Sequence, residues 1–135
     1  MPEAIAKLNY FRMSPRKVRM VAKIIKGLPV NYAERQLMFY NKKAAKALLK
    51  LLKSAIANAK NKGYDSKDLY VEKIVVNEGP HLLKRFYPKA RGRVGRILKR
   101  MSHIEICLGK IENMPLRKKE QKNKQDSQKL ITQTS

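Results

Sequence analysis

Negative charge is what this chain has least of. Asp and Glu number 10 among 135 residues, against 32 Lys and Arg, which leaves a formal net charge of +22. An imbalance of that size is foreign to an ordinary soluble enzyme and calls for a polyanionic partner. Cysteine and histidine are nearly absent. A lone cysteine, Cys107, excludes an internal disulfide framework, and two histidines, His81 and His103, cannot make a zinc quartet by spacing. There is no Gly-rich phosphate loop of the right spacing and no carboxylate pair, so neither a cofactor nor catalysis is expected. No apolar run approaches the roughly 20 residues of a spanning helix, so the expected polyanion is not a membrane. The first residues, MPEAIAKLNYF, carry neither a charged-then-apolar signal nor an Arg-rich leader. The expectation is a protein used where it is made, in a reducing compartment. A length of 135 residues fits one domain with a modest core.

Where positive charge concentrates, it does so without opposition. Between Glu78 and Glu105 there is no acid, while Lys84, Arg85, Lys89, Arg91, Arg93, Arg96, Lys99 and Arg100 supply eight cations. They are interleaved with Phe86, Tyr87, Gly92 and Gly95. Strand-like runs flank them, LYVEKIVVN before and SHIEICL after, so the stretch reads as an extended β-hairpin over about residues 77–104. At ~3.3 Å per residue, eleven residues a side give an arm of at most ~35 Å. Its charges repel one another unless a polyanion such as RNA or DNA lies between them. Phe86 and Tyr87 suit stacking on unpaired bases; equally, Phe86 fits a small cluster with Leu82 and Leu83. Arg91-Gly92-Arg93 sets two guanidinium forks around a residue that allows close backbone approach.

The rest of the chain supplies a body for this arm. Ala4, Ala6, Leu8 and Tyr10 alternate as on a half-buried strand. Ser14-Pro15 opens a helix expected to run to Lys26 and stop at Gly27, with Val18, Val21, Ala22 and Ile25 on its inner face. Arg16, Arg19, Lys23 and Lys26 form a basic stripe beside that face. Asn31 with Glu34 suggests a capping box for a short helix to about Tyr40. Asn41 then caps the longest helix, residues 42–62, whose stripe is Ala44, Leu48, Leu51, Leu52, Ala55, Ile56 and Ala59. Asn58 within it calls for a polar partner, with protein backbone favoured over RNA. Strands around Leu8, Ile74 and Ile106 complete the expected fold. It is an α+β domain with three helices on a small three-stranded antiparallel sheet and a long protruding basic β-hairpin.

His103, Glu105 and Cys107 share one strand face at i, i+2 and i+4. Neighbours on such a face stand ~7 Å apart, too far for a nucleophile–base pair. Residues 113–135 are rich in Lys, Gln, Asn, Ser and Thr and lack hydrophobic periodicity, and a disordered basic tail is expected there. The tail holds six basic and two acidic residues, so +18 of the +22 belongs to residues 1–112.

The segments SPRKVRMVAKIIKG, LLKSAIANAKN, NEGPHLLKRFYPKARGRVGRILKR and SHIEICL together resemble bacterial-type large-subunit ribosomal protein 22, in unbroken order over about residues 4–110. The resemblance implies binding to the large-subunit rRNA beside neighbouring ribosomal proteins, with no obligate homo-oligomer. The globular part would sit near the outer end of the nascent-peptide exit tunnel and the hairpin would line the tunnel inward, next to the nascent polypeptide. It implies a tip at Pro88, Lys89, Ala90, Arg91, Gly92 and Arg93 and an RNA-facing shaft of Lys84, Arg85, Arg96, Lys99 and Arg100. A second rRNA contact would hold Arg12, Ser14, Arg16, Lys17 and Arg19. Lys23 and Asn77 stand where acids are common in that family, and Lys89 stands where arginine is common. The implied location is the cytoplasm of a bacterium, or an organelle that encodes the protein itself. An architectural DNA-binding protein with basic β-arms is the competing expectation, and an RNA-processing enzyme lacks the catalytic residues.

Overall fold

The computed structural model describes residues 4–113. Their order is β1 (Ala4–Phe11), α1 (Pro15–Ile25), α2 (Val30–Phe39), α3 (Lys43–Asn61), β2 (Leu69–Glu78), β3 (Leu82–Pro88), β4 (Val94–Lys99) and β5 (Ser102–Lys110), with short 3-10 turns between some of them. The fold is α+β, as expected. The tail expectation falls almost wholly outside the described residues; Asn113 alone is inside, closing a 3-10 turn from Ile111.

β5 is the centre of the body sheet, with β1 and β2 antiparallel on either side. Period-2 alternation turns Ile104, Ile106 and Leu108 to the core and His103, Glu105 and Cys107 to the other face. α3 packs on β1 and β5 through Leu48, Leu52, Ala55 and Ala59, and α1 packs on β2 through Val18, Val21 and Ile25. Each large aliphatic side chain sealed there contributes about 1.5–3 kcal/mol of transfer free energy. Small residues on the later turns of α3 bring it close to β1, where Asn58 Nδ2 donates to the Ile5 carbonyl at 3.0 Å.

The helix starts depart from expectation. Ser14 occupies the N-cap of α1 with Pro15 first in the helix, but its side chain makes no cap hydrogen bond. α2 begins at Val30 with Pro29 as N-cap, so Asn31 lies inside the helix and no capping box forms. The cause is tertiary. Gly27 N–H donates to the Val71 carbonyl at 2.7 Å and Val71 N–H to the Leu28 carbonyl at 2.9 Å, which fixes the α1–α2 connection on the edge of β2. Gly27 reaches that position with φ +74°, open to glycine without steric cost. α3 likewise starts after Lys42 rather than Asn41.

Tyr10 also departs from its expected inward position. The β1–β5 register shifts between Leu8 and Phe11, and Tyr10 has φ 55°. Its ring is thereby exposed and meets His103 edge-on at 4.8 Å, while its N–H donates to His103 Nδ1 at 3.2 Å.

The arm is not one ladder continued from β2 and β5. β3 and β4 form a separate two-stranded sheet. The junction lies at Gly79-Pro80-His81 and Arg100-Met101, where Gly79 N–H donates to the Met101 carbonyl at 2.9 Å. Pro80 has no N–H to extend the ladder. With 7 and 6 residues in its strands, the paired part of the arm is about 23 Å long at ~3.3 Å per residue, shorter than the 35 Å bound.

Candidate nucleic-acid interface

The two basic regions, far apart in sequence, meet at the base of the arm. Arg12, Met13, Ser14 and Lys17 from the β1–α1 corner line one wall of a cleft of about 510 Å³. Lys84 from β3, Ile97, Leu98 and Lys99 from β4, and Arg100 line the other. Five cations surround this cleft and no acid lines it, while Met13, Ile97 and Leu98 give it an apolar floor. The cleft also receives the start of α1, whose first turn has no acidic residue and whose aligned peptide dipoles favour an anion. Ser14 keeps its hydroxyl available there because it is not bonded to the helix end.

Some expected contact residues already have protein partners. Arg19 Nε and Nη2 both donate to the Val76 carbonyl, at 3.1 and 2.9 Å, bracing α1 against β2. That fork was not legible in sequence, because its acceptor lies 57 residues away. Arg100 Nη1 donates to Glu78 Oε1 at 2.9 Å and lies 3.3 Å from His81 Nε2, tying the two sides of the arm's base together. Arg16 is exposed on α1 and is not among the residues that line the cleft.

Along the arm, cross-strand pairs show which side chains share a face. Phe86 pairs with Arg96, Leu83 with Leu98 and Pro88 with Val94 on one side; Arg85 pairs with Ile97, Tyr87 with Gly95 and Leu82 with Lys99 on the other. Phe86 and Tyr87 therefore present opposite faces, and each is more than half exposed, at 57% and 58%. Leu82 is on the wrong side to join Phe86, which corrects the expected three-residue cluster.

The tip is a two-residue turn. Arg91 (φ 58°, ψ 39°) and Gly92 (φ 68°) hold its centre, both in the left-handed region that a type I′ hairpin turn requires. Arg93 N–H donates to the Ala90 carbonyl at 3.4 Å and Lys89 N–H to the Arg93 carbonyl at 2.8 Å. The Lys89 side chain folds back over Gly95, where an added Cβ would stand 3.2 Å from Lys89 Cε. Pro88 is the last residue of β3, and the turn from Ala90 to Arg93 holds no proline.

Catalytic chemistry has no support on the outer sheet face. Cys107 Sγ is 4.0 Å from Glu105 Oε1, and His103 is engaged with Tyr10. Burial, then the Glu105 and Glu72 carboxylates, push the Cys107 thiol pKa up, so it stays protonated and a poor nucleophile. Among the described residues there is no His, Cys, Asp and Glu group suited to a metal ion, and no helix long and apolar enough to cross a membrane.

Comparison with known proteins agrees with this geometry. The family model described as ribosomal protein L22p/L17e matches residues 6–109, which include both walls of the cleft and the whole arm. The large ribosomal subunit protein uL22 of Mesoplasma florum is 54% identical over 107 residues, covering 78% of this chain and 95% of that protein. This chain belongs to the ribosomal protein L22p/L17e family.

Proposed function

We propose that the cleft at the base of the arm seats the backbone of the large-subunit rRNA, and that the arm carries the protein's surface inward along the nascent-peptide exit tunnel. The chain is a structural, non-enzymatic constituent of the large ribosomal subunit, and rRNA binding is the general role of its family. The observation that carries the detailed reading is the convergence of Arg12, Ser14 and Lys17 with Lys84, Lys99 and Arg100 around one acid-free cleft. Phosphates passing through it would neutralise Arg12, Lys17, Lys84 and Lys99, and the planar fork of Arg12 adds direction to the charge, while Arg100 is already tied to Glu78 at the rim. Arg85, Arg96, Arg91 and Arg93 continue the cationic track along the shaft to the tip. The relative supports a bacterial-type ribosome, and assembly in the cytoplasm beside neighbouring ribosomal proteins is part of the proposal. The tip then faces the nascent polypeptide.

The test is the salt dependence of binding of the purified protein to large-subunit rRNA. With about ten basic side chains on phosphates, log K should fall against log salt with a slope of about −7 to −9. A slope shallower than about −3 would count against this surface as an electrostatic interface.

A further inference from the structure

Phe39, the last residue of α2, is 89% exposed. The helix turns Val30, Ala33 and Leu37 to the core, and Phe39 stands about 200° around the axis from Leu37. Its side chain therefore does little for the fold; Met38 beside it is also exposed, at 55%, but the other exposed neighbours are polar or cationic. Arg35 and Gln36, one turn back on the same side, are exposed, and so are Lys42 and Lys43 just beyond the helix. From residue 35 to residue 64 there is no acid. The nearest one before them, Glu34, has Oε1 3.6 Å from Lys53 Nζ on α3. A free aromatic ring among cations is the arrangement that holds an unpaired base by stacking while its neighbouring phosphates are neutralised. A protein partner would need an apolar socket ringed by acids to match it; an RNA strand supplies both chemistries in every nucleotide.

We propose that the α2–α3 corner is a further rRNA contact, in which Phe39 stacks on an unpaired base and Arg35, Lys42 and Lys43 meet the flanking phosphates. The proposal rests on the rRNA-binding reading above but uses none of the cleft or arm residues.

The chain has no tryptophan, so Phe39→Trp places a single tryptophan reporter at the site, excited at wavelengths its tyrosines do not absorb. Titration of this variant with naked large-subunit rRNA should quench its emission as the base stacks. Phe39→Ala should bind the same rRNA about 5- to 150-fold more weakly, with an unchanged unfolding midpoint because nothing is packed on the ring. If the wild-type protein fails to bind the rRNA with a steep salt dependence, both readings fall together. If it binds, and Phe39→Ala binds equally well, the corner alone is overturned, whether or not emission is quenched. An affinity loss without quenching overturns stacking. Emission that is unchanged on naked rRNA but shifts to the blue in whole subunits assigns Phe39 to a neighbouring protein and overturns the RNA contact.

Discussion

In the sheet of β1, β5 and β2, Ile104, Ile106 and Leu108 are sealed against α3, whereas in the ladder of β3 and β4 no residue is buried. Both regions are antiparallel and both alternate side chains between two faces. What differs is the supply of something to pack against. The body provides its own cover from three helices, so its shape is fixed by the chain alone. The arm has Leu83, Phe86 and Val94 along one face with no layer above them, and only Leu98 at its base looks across the cleft to the β1–α1 corner. A lone two-stranded hairpin is marginal in water. On the reading proposed above, its shape is completed by the rRNA that its cations would meet.

The sharpest way to break the comparison is to remove apolar atoms from each region. Ile106→Ala deletes a fully buried side chain at the centre of β5 and should cost about 2–5 kcal/mol. Phe86→Ala deletes a larger side chain and should change global stability by no more than about 0.5 kcal/mol. Urea unfolding of both variants decides the matter. A comparable loss for Phe86→Ala would mean that the arm belongs to the cooperative core.

Next in size is the contrast between the two ends of the arm. Neutralising Lys84, Arg85, Lys99 and Arg100 removes three of the cations around the cleft and one beside them. At about 0.9 per phosphate contact, the salt slope should become shallower by roughly 3 to 4, and incorporation into subunits should fall. Deleting residues 88–90 leaves the cleft and body untouched, so the protein should fold and incorporate. If the arm lines the tunnel as proposed, the tunnel wall would change instead, and inhibition of translation by a macrolide should change with it. Occupancy in purified ribosomes and macrolide inhibition are the two readouts. Loss of incorporation in the tip deletion, as complete as in the base variant, would make the arm an anchor throughout.

The same contrast explains what was legible in the sequence. Val18, Val21, Ala22 and Ile25, and the stripe from Ala44 to Ala59, were readable because burial imposes a 3.6-residue period on a helix. The basic arm was readable because nothing opposes its charge over so many residues. Features that depend on contacts distant in sequence were not readable. Asn31 and Glu34 have the spacing of a capping box, yet β2 fixes the preceding loop and Glu34 pairs with Lys53. Tyr10 fits an inward alternation until a register shift turns it to His103. Phe39 carried a signal that went unused: it breaks the apolar spacing of α2 and is followed by lysines.

Arg19 and Arg16 sharpen the comparison on a smaller scale, as two arginines of one helix, one bonded to the Val76 carbonyl and the other exposed. Arg19→Ala removes two hydrogen bonds to the Val76 carbonyl and should cost about 1 kcal/mol of stability. Arg16→Ala should leave stability alone and weaken rRNA binding. Thermal unfolding and rRNA titration of each variant test this division. It fails if Arg19→Ala leaves stability unaltered and weakens binding as much as Arg16→Ala does.

The smallest effect concerns the turn at the tip, and it has a sign that can be worked out in advance. Arg91 and Gly92 both sit at positive φ, but one of them carries a Cβ. An L side chain in that region costs about 1 kcal/mol, and glycine escapes the cost. Arg91→Gly therefore relaxes a strained position, while Gly92→Ala strains a relaxed one. No heavy atom lies within 4 Å of the Cβ that Gly92→Ala adds, so its cost is conformational and not a clash. The two variants should shift the local opening free energy of the arm in opposite directions by about that amount, offset for Arg91→Gly by the looser unfolded chain. Amide hydrogen exchange at Tyr87 and Gly95, paired across the ladder, is the measurement. Exchange on β5, whose protection reports the body, should not move in either variant. Opposite shifts confined to the arm would show that Arg91 is held in a strained turn which its side chain does not stabilise, as suits a guanidinium kept there for what it meets beyond the protein. Matching shifts on β5 would show that the tip and the core unfold as one unit, and the distinction between body and arm would not survive.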